Sequence, residues 1–109
     1  MFATIRKYTP KPGSDIKAGM EQLRRQLHDD FLPIVQGIPG FHGYYALNVE
    51  NRDLVTISVF ESREGGTEST RRAAEFVQKN PLPFDVGRPE ILEGELLTYA
   101  EAAREVGAH

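Results

Sequence analysis

The side chains that could carry a reaction are two internal histidines, His28 and His42, the adjacent tyrosines Tyr44 and Tyr45, and Arg6 in an alternating stretch near the start. A histidine titrates near neutral pH and can take a proton from a phenol or enol. A tyrosine hydroxyl can orient a polar substrate atom, and a guanidinium beside a cavity attracts an anion or stabilises developing oxyanion charge. Each residue also has an ordinary structural role to set against this: a helix-boundary histidine, packing tyrosines, an interface salt bridge. His28 follows Leu27 at the edge of an apolar helix stripe, His42 adjoins a Pro-Gly bend, and His109 is terminal. His28, Asp29 and Asp30 are consecutive and diverge around a helix, so they do not converge on a metal. There is no nucleophile elbow or Ser-His-Asp set, and Gly65-Gly66 lacks the rest of a phosphate loop. No metal or cofactor is expected.

The elements that must position these groups follow from periodicity. Phe2 to Tyr8 alternates as a first strand, placing Arg6 and Tyr8 on one face, and the segment Thr9 to Asp15 stops it with two prolines and a glycine. From about Asp15 to Gln36, Met20, Leu23, Leu27, Phe31, Ile34 and Val35 recur at helical steps. Ser14 or Asp15 is placed to cap that helix, Gly19 to weaken its first turns, and Pro33 to break or kink its end. Gly37 and Pro39-Gly40 lead into a hairpin, with strands from Gly43 to Val49 and Leu54 to Phe60 joined at Glu50-Asn51-Arg52-Asp53. Ser62 to Gly66 reads as a turn and Thr67 to Lys79 as a second helix. Leu82, Phe84 and Val86, in the proline-rich loop from Pro81 to Pro89, should pack on something. Ile91 to Tyr99 is a last strand, placed at an edge by Glu93 and Glu95, before a short helical tail over 100–109.

The order β-α-β-β-α-β predicts a ferredoxin-like α+β fold, a four-stranded antiparallel sheet with both helices on one face. Residues 1–109 form one domain, with its core in 2–99 and a tail in 100–109. Neither face of the hairpin is cleanly polar, so the helix-free side of the sheet requires a cover; the simplest is a second copy of the chain, making a homodimer through sheet faces.

Composition narrows the partners. Thirteen basic and sixteen acidic residues, mixed along the chain, give a net charge of −3, with no basic stripe for nucleic acid or an anionic membrane. There is no cysteine, hence no disulfide or thiolate chemistry. The charged, alternating start does not read as a signal peptide and no apolar run approaches a membrane span, so a cytoplasmic protein is the expectation.

Ile38-Pro39-Gly40-Phe41, the glycine and tyrosines after it, Ser58 to Gly65, the Ala73 to Val77 helix and Pro89 to Glu95 together resemble the antibiotic biosynthesis monooxygenase-like domains of the dimeric α+β barrel group. The resemblance covers residues 2 to 99. It implies dimerisation through the sheets and a pocket in each subunit between sheet and helices. It also implies oxidation of quinol-like or phenolic substrates without metal or flavin in some members, and haem degradation in others. The haem-degrading members use an Asn in the first strand, a Trp in the second helix and a later His. Here those places hold Arg6, Phe76 and no His between His42 and His109, and the chain has no Trp.

The resulting expectation is a cofactor-independent monooxygenase for a small aromatic or quinol-like molecule. In it His28 or His42 takes the proton, Arg6 with Tyr44 or Tyr45 holds the oxygen anion, and Phe41, Phe60 and Phe76 hold the ring. Asn48 and Ser58 line the pocket. The alternatives are a non-catalytic small-molecule binding protein and a purely structural dimer.

Overall fold

In β1 (Phe2–Tyr8), alternation sends Thr4, Arg6 and Tyr8 inward and Ala3, Ile5 and Lys7 to the other face, and burial follows that alternation. The computed structural model describes residues 1–13 and 15–101. β3 (Asp53–Phe60) lies antiparallel beside β1, with Arg6 opposite Thr56 and Thr4 opposite Ser58. β2 (Phe41–Val49) pairs with the other edge of β3, and β4 (Glu90–Glu95) with the other edge of β1. The sheet order β2-β3-β1-β4, antiparallel throughout with helical crossovers after β1 and β3, is the ferredoxin-like α+β fold.

The first crossover starts with α1 (Ile16–Gln26), where the Asp15 carboxylate accepts a hydrogen bond from the Ala18 N–H at 3.2 Å. Ser14, the other cap expected, lies outside the described residues. Gly19 does not interrupt α1. A Cβ there would stand 2.5 Å from the Phe84 ring, so the position needs the bare backbone for packing. Pro33 has no N–H to continue the helical ladder. The chain adapts through a π-helical turn at Leu27–Phe31, and then α2 (Leu32–Gln36) restarts with Pro33 in its first turn, where the missing donor costs nothing.

The second helix begins earlier than its apolar stripe suggests. α3 runs Arg63–Lys79, so the expected turn at Gly65-Gly66 is helical. Both glycines face the sheet: a Cβ on Gly65 would lie 2.5 Å from the Phe60 ring, and one on Gly66 equally close to Thr4 Oγ1. Here glycine marks close approach of helix to sheet.

In the hairpin turn Glu50 and Asn51 both take positive φ, 55° and 54°. Asn48 clamps this left-handed pair: its amide donates to Asn51 Oδ1 and its Oδ1 accepts from the Asn51 N–H, each at 2.9 Å. The loop after α3 packs on its own chain. Phe84 is buried with Tyr8, Met20, Leu23 and Leu54, and Pro10 bridges to Val86. A second cluster, Phe31, Val35, Ile38, Phe60, Ala73 and Phe76, fills the other end of the layer. β4 is an edge strand and stops at Glu95, short of the expected Tyr99; residues 102–109 of the expected tail lie outside the described residues.

The helix-free side of the sheet presents Ile5, Tyr45, Leu47, Val55, Ile57, Val59 and Leu92, with Lys7 and Glu90 paired in register at one end. Tyr45 is 59% exposed and Leu92 61%. An apolar sheet face of this extent is unusual for water contact. No helix among the described residues is long and apolar enough to cross a membrane.

Candidate functional site

β1 and β3 place a charged group where the fold would ordinarily put a hydrocarbon. Arg6 is 1% exposed, and its guanidinium is ringed by hydroxyls. Nε donates to Thr56 Oγ1 at 3.2 Å and Nη2 to Ser58 Oγ at 2.7 Å across the strand pair. Nη1 donates to Ser69 Oγ at 3.2 Å and Thr70 Oγ1 at 3.0 Å on α3, and the Tyr8 hydroxyl completes the ring. Ser69 sends its own proton back to the Gly66 carbonyl at 2.8 Å. The close seating of α3 at Gly65 and Gly66 brings Ser69 and Thr70 within reach.

No carboxylate among the described residues pairs with Arg6. Burial therefore lowers its pKa, opposed by the neighbouring Tyr8 and Tyr44 oxygens. Arginine's basicity is far above neutral, so the cation persists. Desolvating a charge costs several kcal/mol even after relaxation, and an apolar residue of similar volume would avoid that cost. The hydroxyl cage offsets it through charge-assisted hydrogen bonds of about 1.5–3 kcal/mol each, but it leaves the positive charge uncancelled. Burial pushes the Tyr44 phenol up to about 12 against the pull of Arg6, and raises Tyr8 in the same way. Both therefore stay protonated near neutral pH and can donate to an anion. Tyr44, opposite Ser58 in the β2–β3 register, extends the cage toward β2.

Two recesses flank this cation. Toward β2, a groove of about 440 Å³ runs between α1, the π turn and the sheet, lined by Met20, Leu27, His28, Tyr44, Asn48 and Leu54 among others. Leu23, Leu27, Tyr44 and Leu54 of this groove also border a small inner cavity of about 30 Å³ that touches Arg6, Tyr8, Thr56, Phe31 and Phe76. Toward β4, a chamber of about 620 Å³ lies among Thr70, Ala74, Val77, Val86, Arg88 and Ile91, and also reaches Arg6 and Tyr8.

The residues singled out from the sequence separate into groups. Arg6, Tyr44, Ser58 and Phe76 gather at the buried end: Arg6, Tyr44 and Phe76 line the inner cavity, and Ser58 holds Arg6 from behind. His28 and Asn48 stand at the mouth of the groove. His28 is exposed, with its Nδ1 3.1 Å from Asp29 Oδ1, and Asn48 is engaged in the hairpin clamp. Tyr45 lies elsewhere, because strand neighbours alternate and its ring emerges on the helix-free face. His42 sits at the irregular start of β2, where the register shifts between Phe41 and Gly43, with its Nε2 3.5 Å from Glu61. That is well along β2 from Ala46, the residue level with Thr56 and Arg6. Phe41 and Phe60 pack edge to face within the core, and neither lines a recess described above.

Thr56 shares a face of β3 with Ser58, while Tyr8, Ser69 and Thr70 were not among the site residues read from the sequence. Tyr8 was accessible by parity, since it shares a face with Arg6. Ser69 and Thr70 had no such signal, because the helix carrying them was expected to begin at Thr67 and its seating depends on two glycines. Among the described residues, no group of three or more His, Asp or Glu side chains could hold a metal.

No protein-family model and no curated protein matches the sequence. Solved structures do match the fold. A monooxygenase from the gene ActVA-Orf6 of Streptomyces coelicolor, in complex with nanaomycin D, superposes with a TM-score of 0.69 at 15% identity, covering 94% of this chain and 92% of that one. A dimeric ferredoxin-like protein from an uncultured marine organism gives 0.67 at 11% identity, covering 93% and 98%. The haem degrader MhuD of Mycobacterium tuberculosis, with two haems in its active site, gives 0.62 at 21% identity, covering 93% and 100%. The chain thus has the ferredoxin-like fold shared by antibiotic biosynthesis monooxygenase-like proteins.

Proposed function

We propose that this protein is a monooxygenase for a small aromatic or quinol-like molecule, which binds as its oxyanion in the β2-side groove and draws its oxidising power from dioxygen. The observation that carries this reading is the buried Arg6 cation, caged by hydroxyls, unpaired by any carboxylate among the described residues and bordering a cavity with aromatic walls. An anionic ligand supplies the missing charge, and Tyr44 and Tyr8, held protonated, donate to its oxygen. Met20, Leu27 and Leu54 of the groove give the ring an apolar wall, with its oxygen turned toward the inner cavity. Two solved structures of this fold are oxygenases, one of them cofactor-independent, which supports the reaction class.

The chemistry balances without another electron source. The bound phenolate gives one electron to dioxygen, the resulting superoxide joins the ring radical through a new C–O bond, and the ring hydrogen is lost as the hydroperoxide collapses. The O–O bond breaks, leaving a carbonyl on the ring and one molecule of water. Arg6 favours the first step by holding the substrate in its electron-rich form. Removing the phenolic proton falls to His28 at the groove mouth or to water, because the inner cavity holds only neutral hydroxyls and the cation.

The haem named in one other solved structure, and the manganese protoporphyrin IX named in another, do not fit this inner cavity. Haem iron takes an axial side chain such as His, Cys, Met or Tyr. Among the described residues no imidazole lines the Arg6 cavity, its tyrosines are held as neutral phenols, and its small volume leaves no slot for a macrocycle. The apolar outer sheet face supports a homodimer packed sheet against sheet, in keeping with the dimer described for one structure of this fold.

The test is oxygen uptake by protein treated with chelator, using a panel of hydroquinones and naphthoquinols. Turnover above the autoxidation rate, reduced in Tyr44→Phe and Thr56→Val, is the expected result. Saturable binding with uptake no faster than in buffer would overturn the catalytic reading.

A further inference from the structure

We propose that the β4-side chamber is a second ligand site, built to take an amphipathic carboxylic acid head-first. It shares Arg6 with the site above and so rests on the same uncancelled charge, but not on oxygenation.

Charge and wall chemistry together specify the ligand. Ala74, Val77, Val86, Pro89 and Ile91 make an apolar sleeve, while the deep end presents Arg6, Tyr8 and Thr70. Thr70 Oγ1 accepts from Arg6 Nη1, so its own hydrogen points away from the guanidinium, and the cation behind it makes it a stronger donor. Burial keeps the Tyr8 phenol protonated as well. The deep end therefore offers two polarised hydroxyl donors backed by a full positive charge, with no carboxylate among the described residues paired to it. Carboxylic acids suit this better than alcohols or amides, because an anion gains both the hydrogen bonds and the neutralisation of a desolvated cation.

The mouth carries a second cation. Arg88 lines the chamber, is exposed, and pairs with no carboxylate among the described residues. At an exposed position it contributes little binding free energy, but it draws anions in and makes capture sensitive to salt. About 620 Å³ is ample for a benzoate-sized acid or a short fatty acid. Because one guanidinium serves both recesses, an acid here competes electrostatically with an oxyanion in the β2-side groove.

Heteronuclear NMR titration of the intact protein with benzoate, hexanoate and neutral benzamide tests the site. The acids are expected to shift the signals of Thr70, Val77 and Ile91, with benzamide binding at least about tenfold more weakly. Thr70→Val should weaken benzoate about tenfold or more, and Arg88→Gln about threefold at low salt with no change in thermal stability. Equal binding of benzamide and benzoate, or shifts confined to Leu27, Tyr44 and Asn48, would overturn the proposal. Loss of acid binding alongside intact quinol turnover would refute this site and leave the oxygenase reading standing; acid binding without turnover would do the reverse.

Discussion

Arg6 Nη2 donates to Ser58 Oγ at 2.7 Å across the β1–β3 pair, and that contact anchors a buried cation which the described protein never neutralises. The ordinary purpose of a buried arginine, an ion pair, is absent, so its purpose lies with whatever enters beside it. Ser58→Ala leaves one guanidinium donor without its acceptor and should cost about 1–3 kcal/mol in urea unfolding. A loss within error of zero would show that the cage is not what holds Arg6 in place.

Seating of α3 on the sheet depends on two missing side chains. Gly65→Ala drives a methyl into the fully buried Phe60, and should destabilise by about 1–3 kcal/mol despite alanine's better helix propensity. Gly87→Ala, where a Cβ meets nothing within 4 Å, serves as the control and should leave the melting temperature nearly unchanged.

Alkaline pH should expose the buried phenols. Tyr44 is pushed up to about 12, whereas an unfolded tyrosine titrates near about 10. A folded pKa above the unfolded one means that this contribution to stability is complete below pH of about 10 and declines as pH rises toward about 12. Urea midpoints measured across that range should fall for the native protein and fall less for Tyr44→Phe. Equal slopes would place the Tyr44 hydroxyl in water.

On the helix-free face, Leu47→Lys sets a charge into the apolar surface that we assign to a twin subunit. Leu47 is 46% exposed in the single chain, so folding should survive while sedimentation shifts toward the monomer by at least about tenfold in dissociation constant. An unchanged sedimentation profile would mean that this face is not the contact.

Much of this architecture was legible because parity and period are local properties. The alternation of Phe2 to Tyr8 placed Arg6 and Tyr8 together, and the stripe from Met20 to Val35 described the first helix. Other features depended on contacts between distant segments. Gly65 and Gly66 read as a turn because glycine usually means one; only the sheet beneath reveals that they permit close packing. The same remote contact brings Ser69 and Thr70 to Arg6, so the cage could not be read from β1 alone. Parity separated Tyr44 from Tyr45 without choosing the inward one, since that depends on register with β3. Pro33 announced a kink, but its form as a π turn reflects how the preceding residues absorb a missing donor.

The measurement that bears most directly on the central claim is the ionisation of a bound phenol, followed by the absorbance of 4-nitrophenol as pH is varied with and without saturating protein. If Arg6 and its hydroxyls hold an oxyanion, the apparent pKa of the bound probe falls by about one unit or more, equivalent to about 1.4 kcal/mol of preference for the phenolate. If desolvation in the cavity outweighs that cation, the bound probe's pKa stays level or rises, and the account fails.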